Sequence, residues 1–211
     1  MIIHNIEQRS EAWFAEKAGK VTGTRFKSLM MAEATQGYKD LVDDITCELI
    51  TGKMEETYSN ADMEKGIETE PMARAEYESI FETEVKTVGF ITPDEDTKYF
   101  GWIGISPDGI IEPGMVEIKC PKNKTQLRYI EANRLPLEYV KQVQGQLFVT
   151  GLDYCDFMSY VENMKPFIIR VFPDKELFEE FEKRLDKIIV QIENKIETYN
   201  KYNHEPTNFE G

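Results

Sequence analysis

The stretch that decides the fold is ISPDGIIEPGMVEIKCP, residues 105–121. Short apolar runs alternate there with the turns SPDG and EPG, a pattern that predicts a β-hairpin. Within the second strand, Glu117 and Lys119 stand two positions apart, so both side chains leave on one face while Ile118 points to the other. A hairpin through EPG brings Asp108 back beside Glu117. The stretch therefore predicts two carboxylates and one ammonium group at a single point on the sheet.

This arrangement favours a divalent cation. Two adjacent carboxylates repel each other, and one takes up a proton unless a cation keeps both ionised. Mg²⁺ is typically held by one or two carboxylates and keeps positions for water and phosphate, and Mn²⁺ is its expected substitute. We therefore expect a magnesium site at Asp108 and Glu117, with Lys119 beside it. The alternative for Asp108 is an ordinary residue of a type I turn, bonding its own backbone.

The flanking sequence predicts an α+β fold in one domain, residues 1–211, with 41% hydrophobic residues to form a core. Helical periodicity and capping residues indicate helices over residues 10–17, 22–29, 38–51, 60–81, 137–150 and 175–199. Gly66 and Pro71 suggest that the fourth helix breaks near its middle. Apolar, β-branched and aromatic runs indicate strands over residues 85–91, 99–105, 109–112, 115–120, 155–161 and 167–172. Helices at both ends should therefore flank a central sheet.

Charge is distributed unevenly along the chain. The formal net charge of −14 by itself disfavours a nucleic-acid partner, because phosphates attract Lys and Arg. Two segments nevertheless carry +4 each, residues 17–28 and 119–141, while residues 53–84 hold ten acidic and three basic side chains. The basic segments weaken the argument against a nucleic-acid partner, and the acidic one is either solvated helix surface or a source of repulsion that steers DNA away from the outer faces. Charge that varies by chance along the surface is the alternative.

Cysteine usage and hydropathy exclude several protein classes. Cys47, Cys120 and Cys155 stand singly, which excludes a disulfide framework or a four-thiolate cluster and favours ordinary core or half-buried residues. The chain has no apolar run of about 18 residues that could span a membrane. Its first ten residues lack the pattern of a secretory signal. We expect a cytoplasmic protein.

Four motifs together resemble a known family. They are WFAEKAGKVTGTRF (residues 13–26), SPDG (106–109), EIKCP (117–121) and QVQGQLFVTG (142–151). The D-x(n)-E-x-K arrangement is similar to the active-site pattern of the PD-(D/E)XK nucleases, and the motifs in this order resemble the YqaJ-type viral recombinases, the family of the phage lambda exonuclease. The resemblance implies a restriction-endonuclease-like core with a central mixed sheet flanked by helices.

The resemblance implies roles for individual residues. The implied catalytic residues are Asp108, Glu117, Lys119, Glu70 and Gln142. Asp108, Glu117 and the backbone carbonyl of Ile118 would bind the metal. Lys119 would orient the attacking water or stabilise the pentavalent phosphate. From spacing alone, Gln142 and Gln146 share one helix face, which is either functional or plain surface.

The resemblance implies that the segment KAGKVTGTRF holds the 5′ phosphate of a DNA end. Its implied ligands are Lys17, Thr22, Thr24 and Arg25. The family commonly has Arg at the position of Lys17 and Ser at that of Thr24, and Lys keeps the charge but loses the bidentate fork of Arg. From the residues alone, a threonine-capped helix start either attracts phosphate or is a capped surface helix.

For function, the resemblance implies a Mg²⁺-dependent 5′→3′ exodeoxyribonuclease that acts on linear double-stranded DNA and leaves 3′ single strands for phage-type recombination. The implied partners are DNA ends, a single-strand annealing protein and further copies of the chain in a trimeric ring. One alternative is an endonuclease of the same fold. Another is a catalytically silent DNA-end-binding module, against which the intact set of Asp108, Glu117 and Lys119 weighs.

Overall fold

The computed structural model of the protein describes residues 1–54 and 61–202. Its helices are α1 (Glu11–Lys17), α2 (Arg25–Leu29), α3 (Gln36–Thr51), α4 (Ala61–Phe81), α5 (Asn123–Ala132), α6 (Leu137–Thr150) and α7 (Lys175–Lys201). Its strands are β1 (Ile2–His4), β2 (Phe90–Thr92), β3 (Gly109–Ile111), β4 (Gly114–Lys119), β5 (Cys155–Ser159) and β6 (Phe167–Val171).

The central sheet has the strand order β3-β4-β5-β6 and is mixed. Strands β4 and β5 are parallel, whereas β3 with β4 and β5 with β6 are antiparallel. A parallel pair needs a crossover connection, and helices α5 and α6 form it here. A separate antiparallel pair joins β1 to β2. The predicted α+β fold with a mixed central sheet flanked by helices is confirmed.

The two faces of the sheet carry different cores. On one face, Met115 and Phe157 pack with buried residues of α2, α3, α6 and α7. On the other face, Val116 and Ile118 pack with Ala73 of α4. Because side chains alternate along a strand, this packing sends Glu117 and Lys119 of β4 to the α6 face. The predicted apolar orientation of Ile118 is confirmed.

Several predicted elements differ from the observed ones. Of residues 85–91 only the end belongs to a strand, and residues 99–105 form single bridges, Val21 with Ile103 and Ile91 with Ile105. Gly101, at φ +84°, turns the chain inside that run and ends any extended segment. The sequence reading also missed β1 and α5; α5 is polar and buries only Gln126.

Helix α4 runs unbroken through Pro71, contrary to the predicted break. Ala73 and Tyr77, on the turns that follow, are buried against the sheet and hold the helix in place. Residue 60 of this prediction lies outside the described residues. Cys47 is exposed rather than buried, whereas Cys155 is buried as expected. Within the described residues, no helix is long and apolar enough to cross a membrane.

Candidate active site

The β3–β4 hairpin places Asp108 beside the middle of β4. Strand pairing places Gly109 of β3 opposite Val116 of β4. Asp108, the residue before Gly109, extends this β3–β4 contact through its side chain, whose Oδ2 accepts a hydrogen bond from the Ile118 N–H at 2.6 Å. The N–H and C=O of one strand residue point to the same edge of the strand. The Ile118 carbonyl therefore faces the edge on which Asp108 lies, and the predicted approach of Asp108 to β4 is confirmed.

Side-chain donors converge on Glu117, which is 2% exposed. Lys119 Nζ and Gln142 Nε2 both donate to Oε1 of Glu117, and Gln146 Nε2 donates to Oε2 at 2.7 Å. Lys119 Nζ also lies 5.4 Å from the centre of the Tyr139 ring. The sequence placed Glu117 and Lys119 on one face, and α6 adds two amides to them. The Glu117 carboxylate is thus held at both of its oxygens.

The electrostatics of this group are those of a crowded acidic site. Asp108 keeps a partly exposed surface, yet burial of its carboxyl group and the neighbouring Glu117 raise its pKa well above the ordinary value. Burial alone would lower the pKa of Lys119, but the charges of Glu117 and Asp108 outweigh it and raise that pKa. Lys119 is therefore an ammonium ion at neutral pH.

A cavity of about 360 Å³ opens beside Asp108 and is lined by the chain after β1 and by α4. Glu70 lies in its wall, where its Oε1 accepts a hydrogen bond from Arg74 Nη2 at 2.6 Å and its Oε2 lies 3.6 Å from Arg9 Nη2. Glu70 therefore borders the site while its carboxylate is paired with guanidinium groups. Cavities of about 590 and 520 Å³ border α7 instead and include none of the predicted catalytic residues.

The oxygen atoms at and beside Asp108 that could bind a metal suit a hard divalent cation. They are the carboxylates of Asp108 and Glu117 and the main-chain carbonyl of Ile118, all oxygen ligands of the kind that Mg²⁺ prefers. In the part of the chain that the structure describes, no group of three or more His, Cys, Asp or Glu side chains could hold a metal. A site with only two carboxylates suits Mg²⁺, which keeps water in several positions.

The predicted end-binding segment lies next to this site. Lys17 Nζ stands 3.6 Å above the Trp13 ring, and Trp13 Nε1 donates to Ser106 Oγ at 2.7 Å, two residues before Asp108. Thr24 occupies the cap position of α2 and is exposed, with no capping hydrogen bond from its side chain. Lys17 is therefore linked through Trp13 to the strand end that carries Asp108, and the Thr24 hydroxyl is exposed to solvent.

Thr22 and Arg25 are placed differently. Thr22 is 5% exposed. Arg25 forms a bidentate ion pair with Glu48, with Nη1 to Oε2 at 2.8 Å and Nη2 to Oε1 at 2.5 Å, and Nη1 also donates to the Lys20 carbonyl. Glu48 is 3% exposed and also accepts a hydrogen bond from the Gly19 N–H at 2.9 Å. Arg25 thus has a structural partner in Glu48, and its role as a phosphate ligand stays a prediction.

Sequence reasoning missed or undervalued several residues at the site. It left Gln146 undecided, and it did not single out Ser106, Arg9 or Arg74. The i, i+4 spacing of Gln142 with Gln146, and of Glu70 with Arg74, was the available signal. The contacts of Ser106 with Trp13 and of Arg9 with Glu70 join elements that are distant in sequence.

Comparisons with known proteins show the family and the fold of the chain. The family model of the YqaJ-like viral recombinase domain matches residues 12–153. The alkaline exonuclease LHK-Exo from Laribacter hongkongensis is 34% identical, with a TM-score of 0.81 over 91% of this chain and 97% of that chain. Its complex with dAMP gives 33% identity and a TM-score of 0.82 over the same shares.

A more distant structure shares the fold alone. It is a phage-related exonuclease from Haemophilus somnus 129PT, with 15% identity and a TM-score of 0.62 over 85% of this chain and 96% of that chain. No curated protein matches the chain at a significant level.

Proposed function

We propose that this chain, a member of the YqaJ-like viral recombinase family, depends on Mg²⁺ and degrades one strand of linear duplex DNA in the 5′→3′ direction. Its family and its likeness to alkaline exonuclease support a phage-type exonuclease. The observation that carries the proposal is that Asp108, Glu117 and Lys119 lie together at the end of β4. The complex of the Laribacter enzyme with dAMP supports a site that accepts a nucleotide. The product would be 3′ single-stranded DNA for recombination.

In this mechanism the carboxylates of Asp108 and Glu117 and the Ile118 carbonyl would hold Mg²⁺, which Mn²⁺ could replace. Bound there, the ion would activate water and stabilise charge on the phosphate oxygens. Lys119, whose pKa the charges of Glu117 and Asp108 raise, would stabilise the negative charge that develops on the phosphate. Gln142 orients Glu117 through Oε1. Glu70, which lies in the wall of the cavity beside Asp108 and is paired with Arg74 and Arg9, would add a further carboxylate next to the metal ligands.

The proposed partners are double-stranded DNA ends and a single-strand annealing protein, in the cytoplasm of a bacterial or phage-infected cell. A trimeric ring, with the basic segments facing the DNA, would reconcile the net charge of −14 with a phosphate-rich substrate. Thr24 and Lys17 would hold the 5′ phosphate. Arg25 would support this segment through Glu48.

Substrate topology tests the proposal. Linear and closed-circular duplex DNA of one sequence are incubated with the protein, with and without Mg²⁺, and with a label at either the 5′ or the 3′ terminus. We expect Mg²⁺-dependent release of the 5′ label from linear DNA and no loss of the circle. Cleavage of closed circles would instead identify an endonuclease, and binding without hydrolysis a silent end-binding module.

A 5′-phosphate preference that falls with rising pH is expected from Lys17. Burial and the nearby Arg25 lower the pKa of Lys17 from 10.5 to about 8, so the amine is charged at pH 7 and largely neutral at pH 9. At pH 7, kcat/KM for a 5′-phosphorylated duplex should exceed that for a 5′-hydroxyl duplex by roughly 10-fold. Measured on both substrates, this ratio should approach one at pH 9.

Two variants separate this contact from other effects of pH. Lys17→Ala should bring the ratio close to one at every pH, and Lys17→Arg should keep it high at pH 9 because a guanidinium stays protonated. The hydroxyl substrate at each pH corrects for effects on the chemical step. A ratio that is constant from pH 7 to 9 in the parent would show that Lys17 is not the phosphate ligand.

A further inference from the structure

We propose that Gln146 is a positioning residue that fixes the orientation of the Glu117 carboxylate. The inference rests on the proposed metal-dependent hydrolysis and adds a residue to it. Gln146 is 1% exposed, and its Nε2 donates to Glu117 Oε2 at 2.7 Å. Lys119 and Gln142 both donate to the other oxygen, Oε1. Among the described residues, Gln146 is the side chain that holds Oε2.

The orientation of the Gln146 amide follows from its neighbour. A reversed amide would bring its carbonyl oxygen to within hydrogen-bond distance of a carboxylate oxygen, and two acceptors repel. Nε2 therefore faces Glu117, and Oε1 is left buried with no hydrogen-bond partner among residues 1–54 and 61–202. An unpaired buried carbonyl lowers stability, so an apolar side chain of similar size would suit packing better. The contact with Glu117 explains why an amide stands here.

Gln144, on the same helix, shows what a structural glutamine does. It is 5% exposed; its Nε2 donates to the Phe172 carbonyl and its Oε1 accepts from the Asp174 N–H, both at 2.9 Å. Both ends of the amide are paired, and they join α6 to the chain that leads into α7. Stability alone accounts for this residue. Gln146 differs because half of its amide is unpaired and the other half touches a proposed metal ligand.

Close packing keeps Gln146 in place. A Cβ on Gly145 would lie 2.4 Å from the Phe26 ring, so α6 approaches α2 as closely as only glycine allows. Cγ and Nε2 of Gln146 lie 3.7 Å from where a Cβ on Gly23 would stand, so the buried side chain lies between the proposed end-binding segment and Glu117 of β4. A side chain held in this way restricts rotation of the Glu117 carboxylate, and the orientation of a ligand governs metal affinity.

The test compares Gln146→Met with the matched control Gln144→Met. Methionine keeps the length of the side chain and removes the amide in both variants. We measure the Kd for Mg²⁺ and Mn²⁺ by calorimetry, kcat and KM on linear duplex DNA, and Tm. For Gln146→Met we expect a Kd about 10- to 100-fold higher and a kcat reduced by a similar factor, with little change in KM for DNA. For Gln144→Met we expect a lower Tm and an unchanged Kd.

A second variant, Gln146→Asn, keeps an amide but moves it one methylene away from Glu117, and it should also bind metal more weakly than the parent. It serves as the test if Gln146→Met does not fold. Parental Kd and kcat in a folded Gln146 variant would overturn the inference, as would an equal rise in Kd for Gln144→Met. Failure of the parent itself to bind metal or hydrolyse DNA would instead overturn the proposed function. The parent is therefore measured first.

Discussion

Asp108→Asn is expected to slow DNA hydrolysis by on the order of 10²-fold or more while leaving the protein folded. The amide oxygen of asparagine can still accept the hydrogen bond from the Ile118 N–H that closes the hairpin. What the variant loses is the negative charge that would hold Mg²⁺ beside Glu117. Initial rates on linear duplex DNA at saturating Mg²⁺ measure the loss.

Stability measurements distinguish a lost ligand from a damaged fold. Because burial and Glu117 raise the pKa of Asp108 in the folded state, its ionisation destabilises the metal-free protein as pH rises above the unfolded pKa, near 3.9. Asp108→Asn should remove this part of the pH dependence. Mg²⁺ should raise the Tm of the parent and have much less effect on that of the variant.

Asp156→Asn is the matched control. Asp156 is 1% exposed on β5, opposite Val116, and so lies on the face of the sheet away from Glu117. Its carboxylate is paired with Arg170 and accepts a hydrogen bond from Tyr77. This variant should lose stability and keep its rate at a temperature where it is folded. Hydrolysis at the parental rate by Asp108→Asn would show that Asp108 is only a turn residue.

Arg25→Met is expected to lower the free energy of unfolding by about 3 kcal/mol, because it leaves the buried carboxylate of Glu48 without its bidentate partner. Lys195→Met provides the comparison: the Lys195–Asp43 pair is more than half exposed at both side chains, so its loss should cost less than about 1 kcal/mol. Denaturant unfolding of both variants measures the difference.

A double variant identifies the cause of this loss. Arg25→Met combined with Glu48→Leu removes both charges and should regain much of the stability, since a buried ion pair is often replaceable by apolar residues. If Arg25→Met instead keeps parental stability and abolishes the 5′-phosphate preference, Arg25 is a DNA ligand and the structural assignment is wrong.

Much of the site was predictable because its key residues lie in one short hairpin. The turn residues of SPDG and EPG and the two-residue alternation along β4 are local properties, and they bring Asp108, Glu117 and Lys119 together without help from distant elements. The same holds for α6 and α7, whose long apolar stripes and end signals are local. The strand predicted for the short segment 99–105 was wrong, because a strand needs a pairing partner and sequence periodicity does not reveal one.

The sequence by itself determined the β3–β4 hairpin, the placement of Glu117 and Lys119 on one face of β4, and the family that the motifs resemble. Only the tertiary structure decided which distant side chains complete the site. Gln146 reaches Glu117 across 29 residues of chain, and Glu48 reaches Arg25 across 23. Such contacts depend on how helices pack against the sheet, and that packing follows from the burial of many side chains together rather than from the pattern of any one segment.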